Sequence, residues 1–338
     1  MALPLDTAYP PMEAESVPSL PDGPEWQYEP KWDGFRCLAF RDASSVDLRS
    51  KSGQPLGRYF PELLAALSEL AVPRCVLDGE IVVPVDGVPD FEELQMRLHP
   101  AASRVRKLAA AHPARYMLFD LLVDDTGRDL TALPLQRRRA ALESLMAPHV
   151  NERLALSPVS RDAAEARQWM QTLGTGRDGV VAKRLDKPYR SGHRDAVVKV
   201  KLIRSADCVV GGFRYLQRER QVGSLLLGLY DGAGLLNHVG FTATIRREDR
   251  PALTDRLEKL VEPPGFTGKA PGGPSRWSSG KTHDWQPLRP VLVVEVQYDH
   301  VSGERFRHGT TLLRFRPDKA PRQCTMQQIE RSGAPSLR

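Results

Sequence analysis

The segment Glu29-Pro30-Lys31-Trp32-Asp33-Gly34-Phe35-Arg36 decides how this chain is read. It joins two short runs, WQYEPK (26–31) and FRCLAFR (35–41), rich in aromatic and aliphatic residues and bounded by Gly, Asp or Pro, which read as strands. A lysine becomes a nucleophile only when deprotonated, which needs a lowered pKa or help from neighbouring groups. Here Lys31 stands in a turn beside Asp33, Gly34 lets the backbone approach a ligand closely, and Arg36 suits a phosphate or sugar hydroxyl. Taken alone, the segment reads equally well as a β-turn carrying exposed charges.

Further strand-like runs follow it: SVDLRS, CVLDGEIVV, RYMLFDLL, GVVAK and VVKVKL. Between them lie helical stretches at 58–70, where Phe60, Leu63, Leu64, Leu67 and Leu70 recur at helical spacing, and at 135–146 and 161–173. Strands punctuated by helices without strict alternation indicate an α+β domain with antiparallel sheets and flanking helices, covering residues 1–204. Its first 25 residues hold six prolines and little periodicity, and read as an extended leader. From 205 to 338 come DCVVGGF, VGSLLLGLY, LNHVGF and VLVVEVQY with one helix near 248–260, the pattern of a small closed β-barrel such as an OB-fold. The Pro/Gly-rich stretch 262–275 is expected as a long loop within it.

The 338 residues fit one to three domains, two being the natural reading. Lys and Arg number 48 against 42 Asp and Glu, a net charge of +6. Residues 1–204 carry 28 basic and 28 acidic side chains, and residues 205–338 carry 20 and 14, so the whole excess lies in the second part. That asymmetry fits one domain doing chemistry and another gripping a polyanion. The 41% hydrophobic and 27% charged content excludes global disorder. No apolar run approaches ~18 residues, so no membrane span is expected, and the start lacks the pattern of a signal peptide. Four scattered cysteines form no CxxC, which argues against a zinc site or disulfide framework and fits a reducing cytoplasm.

Four more motifs follow Lys31 in order: Leu77-Asp78-Gly79-Glu80, Tyr116-Met117-Leu118-Phe119-Asp120, Asp178-Gly179-Val180-Val181-Ala182-Lys183 and Lys199-Val200-Lys201. The ordered set closely resembles the covalent nucleotidyltransferases: ATP-dependent DNA ligases, RNA ligases and mRNA-capping enzymes. The tracts ADCVVGGFRY (206–215) and RFRPDKAP (314–321) are similar to the short bacterial ATP-dependent ligases, particularly the C-type repair ligases. The resemblance implies an adenylation domain followed by an OB-fold domain. It further implies that Lys31 attacks the α-phosphate of ATP to form lysyl-AMP, that AMP passes to a 5′-phosphate, and that an adjacent 3′-OH completes the phosphodiester. On this reading Glu80 and Asp178 hold Mg2+ or Mn2+, with the ribose as the other role for Glu80. Phe119 stacks on adenine beside Glu29, and Arg36, Lys183, Lys199 and Lys201 surround the triphosphate. Arg316, in the last motif, closes over ATP across a hinge near 202–206.

Each of these residues also has a structural reading: Phe119 as a core aromatic, Glu80 and Asp178 as strand-edge acids, Lys199 and Lys201 as a solvated edge, and the last motif as a basic tail touching DNA. Three positions depart from the family pattern. Asp178 replaces glutamate, Lys51 replaces the arginine of a Ser-Arg-x-Gly tract with Arg49 nearby to share its phosphate contact, and Val197 replaces tryptophan. The implied partners are nicked or broken duplex DNA and, for delivery of ends, a repair polymerase-primase or Ku-like end binder, with the protein a monomer. Other readings keep the fold and change the acceptor, as in an RNA ligase or capping guanylyltransferase, or keep nucleic-acid binding without chemistry.

Overall fold

The computed structural model describes residues 3–43, 45–172, 177–201, 203–272 and 284–329, with the backbone alone for 171–172 and 177–178. The chain up to Leu202 forms one compact unit and a second begins at Ile203.

The main strands of the first unit are β1 (Trp26–Trp32), β2 (Phe35–Asp42), β3 (Ser45–Ser50), β4 (Arg74–Val82), β5 (Arg115–Val123), β6 (Leu154–Leu156), β7 (Arg177–Arg184) and β8 (Val197–Lys201). They form two sheets. One runs β1–β7–β8, antiparallel, and is extended by Glu15–Ser16 lying parallel to β8. The other runs β3–β2–β4–β5–β6, antiparallel except for the last pair. The helices are α1 (Pro61–Ser68), α2 (Phe91–Met96), α3 (Ala102–Ala111), α4 (Leu135–Met146) and α5 (Ala163–Thr172).

Side chains alternate across a strand, and each sheet therefore has two faces with different fates. On the first sheet Tyr28, Val180 and Ala182 pack against Ala163 and Ala166 of α5. On the second, Cys37, Ala39, Leu77 and Ile81 pack with Leu63 and Leu67 of α1 and Leu142 and Met146 of α4. Leu38, Phe40, Val76 and Leu122 of the second sheet close a third cluster with Val197, Tyr189, Leu5 and Met12. The segment expected as an extended leader packs into the fold. Leu5 and Met12 are buried, and Glu15–Ser16 pair with Val198 and Lys199. Proline spacing hid this, because what holds the segment is distant chain with no local pattern.

Helices α2 and α3 lie outside the sequence expectation. The short α2 starts at Asp90, whose carboxylate accepts from the Glu92 and Glu93 amides at 2.8 and 3.1 Å, a capping signal rather than a periodic one. Of α3 only Val105 is fully buried, with Leu108 and Ala109 half-buried on the same face, a stripe too short to stand out in the sequence.

The second unit contains β9 (Arg204–Leu216), β10 (Glu219–Tyr230), β11 (Leu236–Thr242), β12 (Val293–Tyr298), β13 (Thr311–Phe315) and α6 (Arg250–Glu258). The antiparallel ladder runs β11–β10–β9–β12–β13, with Gln286–Pro287 pairing on β9. Its core includes Val209, Phe213, Leu225, Leu227, Leu257 and Val294. Among the described residues the ladder does not close on itself. Its ends meet instead at a parallel bridge between Thr242 and Thr310, where the Thr242 hydroxyl donates to the Thr310 carbonyl at 2.9 Å. The Leu312 amide donates to the Thr244 hydroxyl at 2.7 Å. The expected closed barrel is therefore an open ladder whose edges are joined by a threonine seam. Residues 262–272 are irregular apart from turns, as expected, and 273–275 lie outside the described residues.

Candidate active site

Strand register lays out one wall of the site. Across β1, β7 and β8 the paired rows are Gln27–Lys183–Val197, Glu29–Val181–Lys199 and Lys31–Gly179–Lys201. Positions two apart share a face, so Glu29, Lys31, Lys183, Lys199 and Lys201 stand on one side of the sheet. Three sequence motifs, the first more than 140 residues before the other two, become a single surface. Gly179 is needed in this grid. Its φ is +146°, and a Cβ there would lie 2.0 Å from the Val200 carbonyl oxygen.

The second sheet supplies the facing wall. Arg36 and Glu80 are direct cross-strand partners on β2 and β4, and Phe119 lies on β5. The cleft between is lined by Glu29, Lys31, Arg36, Glu80, Phe119, Lys183 and Lys199. Seven of the sequence-derived site residues thus share one cavity. Lys201 lies in the next row of the same face, outside the residues lining the cleft. A Cβ on Gly34 would fall 2.3 Å from the Ile81 carbonyl oxygen and 2.8 Å from Cγ of Glu80, so the glycine lets the Lys31 turn press against β4.

Charges in the cleft are paired in layers. Asp78, fully buried, grips Arg36 with both oxygens, each at 2.6 Å. Lys183 pairs with Glu29 at 2.8 Å, and the Gln27 amide donates to the same carboxylate at 3.1 Å. Phe119 lies 4.0 Å from the Lys183 ammonium and 4.4 Å from the Arg36 guanidinium, measured to the ring centre, which is cation–π distance. Behind it, Asp120 is clamped by the buried Arg138 at 2.8 and 2.9 Å.

These environments shift protonation. Burial pushes the Glu80 carboxyl up to about 7, even though Arg36 and Lys31 pull it down. Burial lowers Lys183, and Glu29 partly offsets it. Lys199 is lowered first by burial and then by Lys31, Lys201, Lys51 and Arg194. Four cations acting on a fifth mark a place where a polyanion relieves repulsion. For Arg36 burial acts downward, but the Asp78 carboxylate outweighs it and holds the guanidinium charged.

Lys51 lines the cleft and is paired with Glu13 at 2.8 Å, while Arg49 is engaged by Asp47 at 2.9 Å and does not reach the cleft. The Asp178 side chain lies outside the described residues. Arg316 belongs to the second unit, where its Nη1 donates to Asp207 at 3.0 Å and its Nη2 to Asp318 at 2.8 Å, with Lys319 on Asp207 at 2.6 Å. Among the described residues no group of three or more His, Cys, Asp or Glu is set to hold a metal ion. Magnesium is commonly held by one or two carboxylates plus substrate phosphates, and the half-buried Glu80 beside Lys31 and Arg36 fits that mode rather than an all-protein cage.

Residues 11–201 match the family model described as the ATP dependent DNA ligase domain, and residues 218–319 match the ATP dependent DNA ligase C terminal region. The chain belongs to the ATP-dependent DNA ligase family. It is 45% identical to DNA ligase C2 of Mycolicibacterium smegmatis, covering 98% of this chain and 96% of that protein. It is 42% identical to DNA ligase C of Mycobacterium tuberculosis, covering 100% and 98%. Among solved structures, that of mycobacterial DNA ligase D complexed with ATP and MES aligns with a TM-score of 0.51 at 31% identity, over 94% of this chain and 98% of that one. Within this family the short C-type ligases are the match that the Lys31 motif and the ADCVVGGFRY tract anticipate.

Sequence reasoning overlooked Asp78, Tyr189 and the segment Pro11–Ala14, all within or against the cleft. Asp78 sits inside a recognised motif and was available to notice. Tyr189 and Pro11–Ala14 carry no local signal, because only the tertiary fold brings them to the cleft.

Proposed function

We propose that the protein seals nicks or breaks in duplex DNA through a lysyl-AMP intermediate on Lys31. The observation that carries this reading is the single cationic face of Lys31, Lys183, Lys199 and Lys201 opposite Arg36 and Glu80. ATP lies in the cleft with its adenine at Phe119 and Glu29 and its phosphates toward Lys199, Lys201 and Arg36. The Lys31 amine attacks the α-phosphorus, the bond to the bridging α–β oxygen breaks, and pyrophosphate leaves. The surrounding cations hold the amine and phosphates in line and stabilise the growing negative charge. A 5′-phosphate oxygen at the nick then attacks the same phosphorus and releases Lys31, and the 3′-OH displaces AMP.

Glu80, with Asp178, would hold Mg2+ or Mn2+ together with phosphate oxygens, where the metal supplies charge neutralisation. Arg316 and Lys319 serve the pyrophosphate in the first step, exchanging Asp207 and Asp318 for phosphate oxygens. The residues before and after 204 act as an adenylation domain and a DNA-gripping OB domain. Work on broken ends in the cytoplasm, as a monomer supplied by a polymerase-primase or Ku-like partner, agrees with the family membership. Incubation with nicked duplex, Mg2+ and either ATP or GTP tests the reading. Sealing with ATP supports it, and sealing of nicked RNA alone or use of GTP alone would contradict it.

A further inference from the structure

The segment Pro11–Ala14 lines the cleft beside Lys31 and Lys199, and among the contacts that hold it one comes from a phenol. Tyr189 is 4% exposed. Its hydroxyl accepts from the Met12 amide at 2.9 Å and donates to Asp78 Oδ2 at 2.7 Å. Asp78 in turn holds Arg36 bidentately, and Arg36 lies over Phe119. Burial and the Asp78 charge raise the phenol well above its ordinary pKa, so it remains a donor. The ring is fixed from two sides. Tyr9 stacks on it with centroids 6.3 Å apart, and Arg138 lies 5.5 Å from its centre. Around the same segment the Ser191 hydroxyl donates to the Pro10 carbonyl at 2.6 Å, Arg194 Nε donates to Glu13 at 2.7 Å, and the Val17 amide donates to the Lys199 carbonyl at 3.1 Å.

A tyrosine that only filled the core would not need both polar contacts. This one has a single hydroxyl proton, spent on the carboxylate that orients Arg36, and it uses a lone pair to catch the backbone of the cleft wall. We infer that Tyr189 is a positioning residue that keys the 11–14 wall to the Asp78–Arg36 pair, so that wall and guanidinium are set together for the nucleotide. The inference rests on the reading of the cleft as the ATP site.

The test follows lysyl-AMP formation against ATP concentration in the full-length chain. Tyr189→Phe removes the hydroxyl and keeps the ring. Met12→Pro removes the amide hydrogen from the other side, and Met12→Ala retains it as the reference for loss of the side chain. Thermal melting checks each for folding. A hydrogen bond to a charged group is worth about a tenfold change in affinity, so Tyr189→Phe should raise the KM for ATP roughly tenfold with the maximal rate changing less than about threefold. Because Tyr189→Phe already cuts the link to the Met12 amide, the Tyr189→Phe/Met12→Pro double variant should be no worse than Tyr189→Phe. A folded Tyr189→Phe with unchanged KM overturns the inference, as does a further tenfold loss from Met12→Pro in the Tyr189→Phe background. Should Tyr189→Phe not fold, Met12→Pro equal to Met12→Ala in KM overturns it alone. Failure of the wild type to take label from ATP would instead sink the reading of the cleft, and the inference with it.

Discussion

Replacing Lys183 with methionine isolates a buried ion pair of the cleft. Lys183 and Glu29 are 2.8 Å apart, with side chains 8% and 2% exposed. In Lys183→Met the apolar stem is kept and the charge is lost. Glu29 then keeps the Gln27 amide at 3.1 Å. Removing one partner of a buried pair costs ~3–5 kcal/mol, because the remaining carboxylate has left water without compensation. For a unit of this size that corresponds to a fall in melting temperature of about 2–4 °C per kcal/mol, or roughly 10 °C in all. Adding Glu29→Gln should return most of the stability, since an absent pair costs far less than a broken one. Urea unfolding of the wild type, the two single variants and the double variant at pH 8 measures all of this. A Lys183→Met protein within 1 kcal/mol of wild type at pH 8 would refute the reasoning, as would a double variant less stable than both singles.

Three further outcomes are expected. Gly179→Ala places a Cβ 2.0 Å from the Val200 oxygen at φ +146°, so β7 and β8 must part, and the variant should lose ~2–4 kcal/mol in the same unfolding assay; a loss below 1 kcal/mol contradicts the register. In chelator, Glu80 with its carboxyl raised from 4.5 to about 7 favours the fold below 4.5 and loses that contribution as pH rises through about 7, worth at most about 3 kcal/mol. Wild type should therefore lose melting temperature relative to Glu80→Gln between pH 5 and 8, and parallel curves would contradict the assignment. Nick binding should weaken steeply with salt, by about a thousandfold between 50 and 200 mM if some six phosphates are neutralised, and a flat response would remove the grip assigned to the basic second part.

Much of the site was readable because its chemistry sits in short motifs on strands. Once VVKVKL is read as a strand, alternation puts Lys199 and Lys201 on one face, and the register across β1, β7 and β8 adds Lys31 and Lys183 to it. The +6 net charge also located itself, since all of it follows residue 204. The unread parts depend on contacts between distant stretches. Nothing near Tyr189 announces that it will meet Asp78, 111 residues earlier, and nothing in a proline-rich start announces a cleft wall. Gly34 was noticed for close approach, and the structure adds the Ile81 backbone as a group pressed against it. Closure of the second unit failed for a similar cause, because run lengths do not reveal whether the last strand completes the ladder or meets the first through threonine side chains.

The central claim is that Lys31 carries AMP. Incubating the protein with α-labelled ATP and Mg2+, then denaturing it, should leave acid-labile label on the wild-type chain and none on Lys31→Ala, while Lys31→Ala still seals a nick that is already adenylylated. Label retained by Lys31→Ala, or taken by the wild type from GTP and not from ATP, would contradict it.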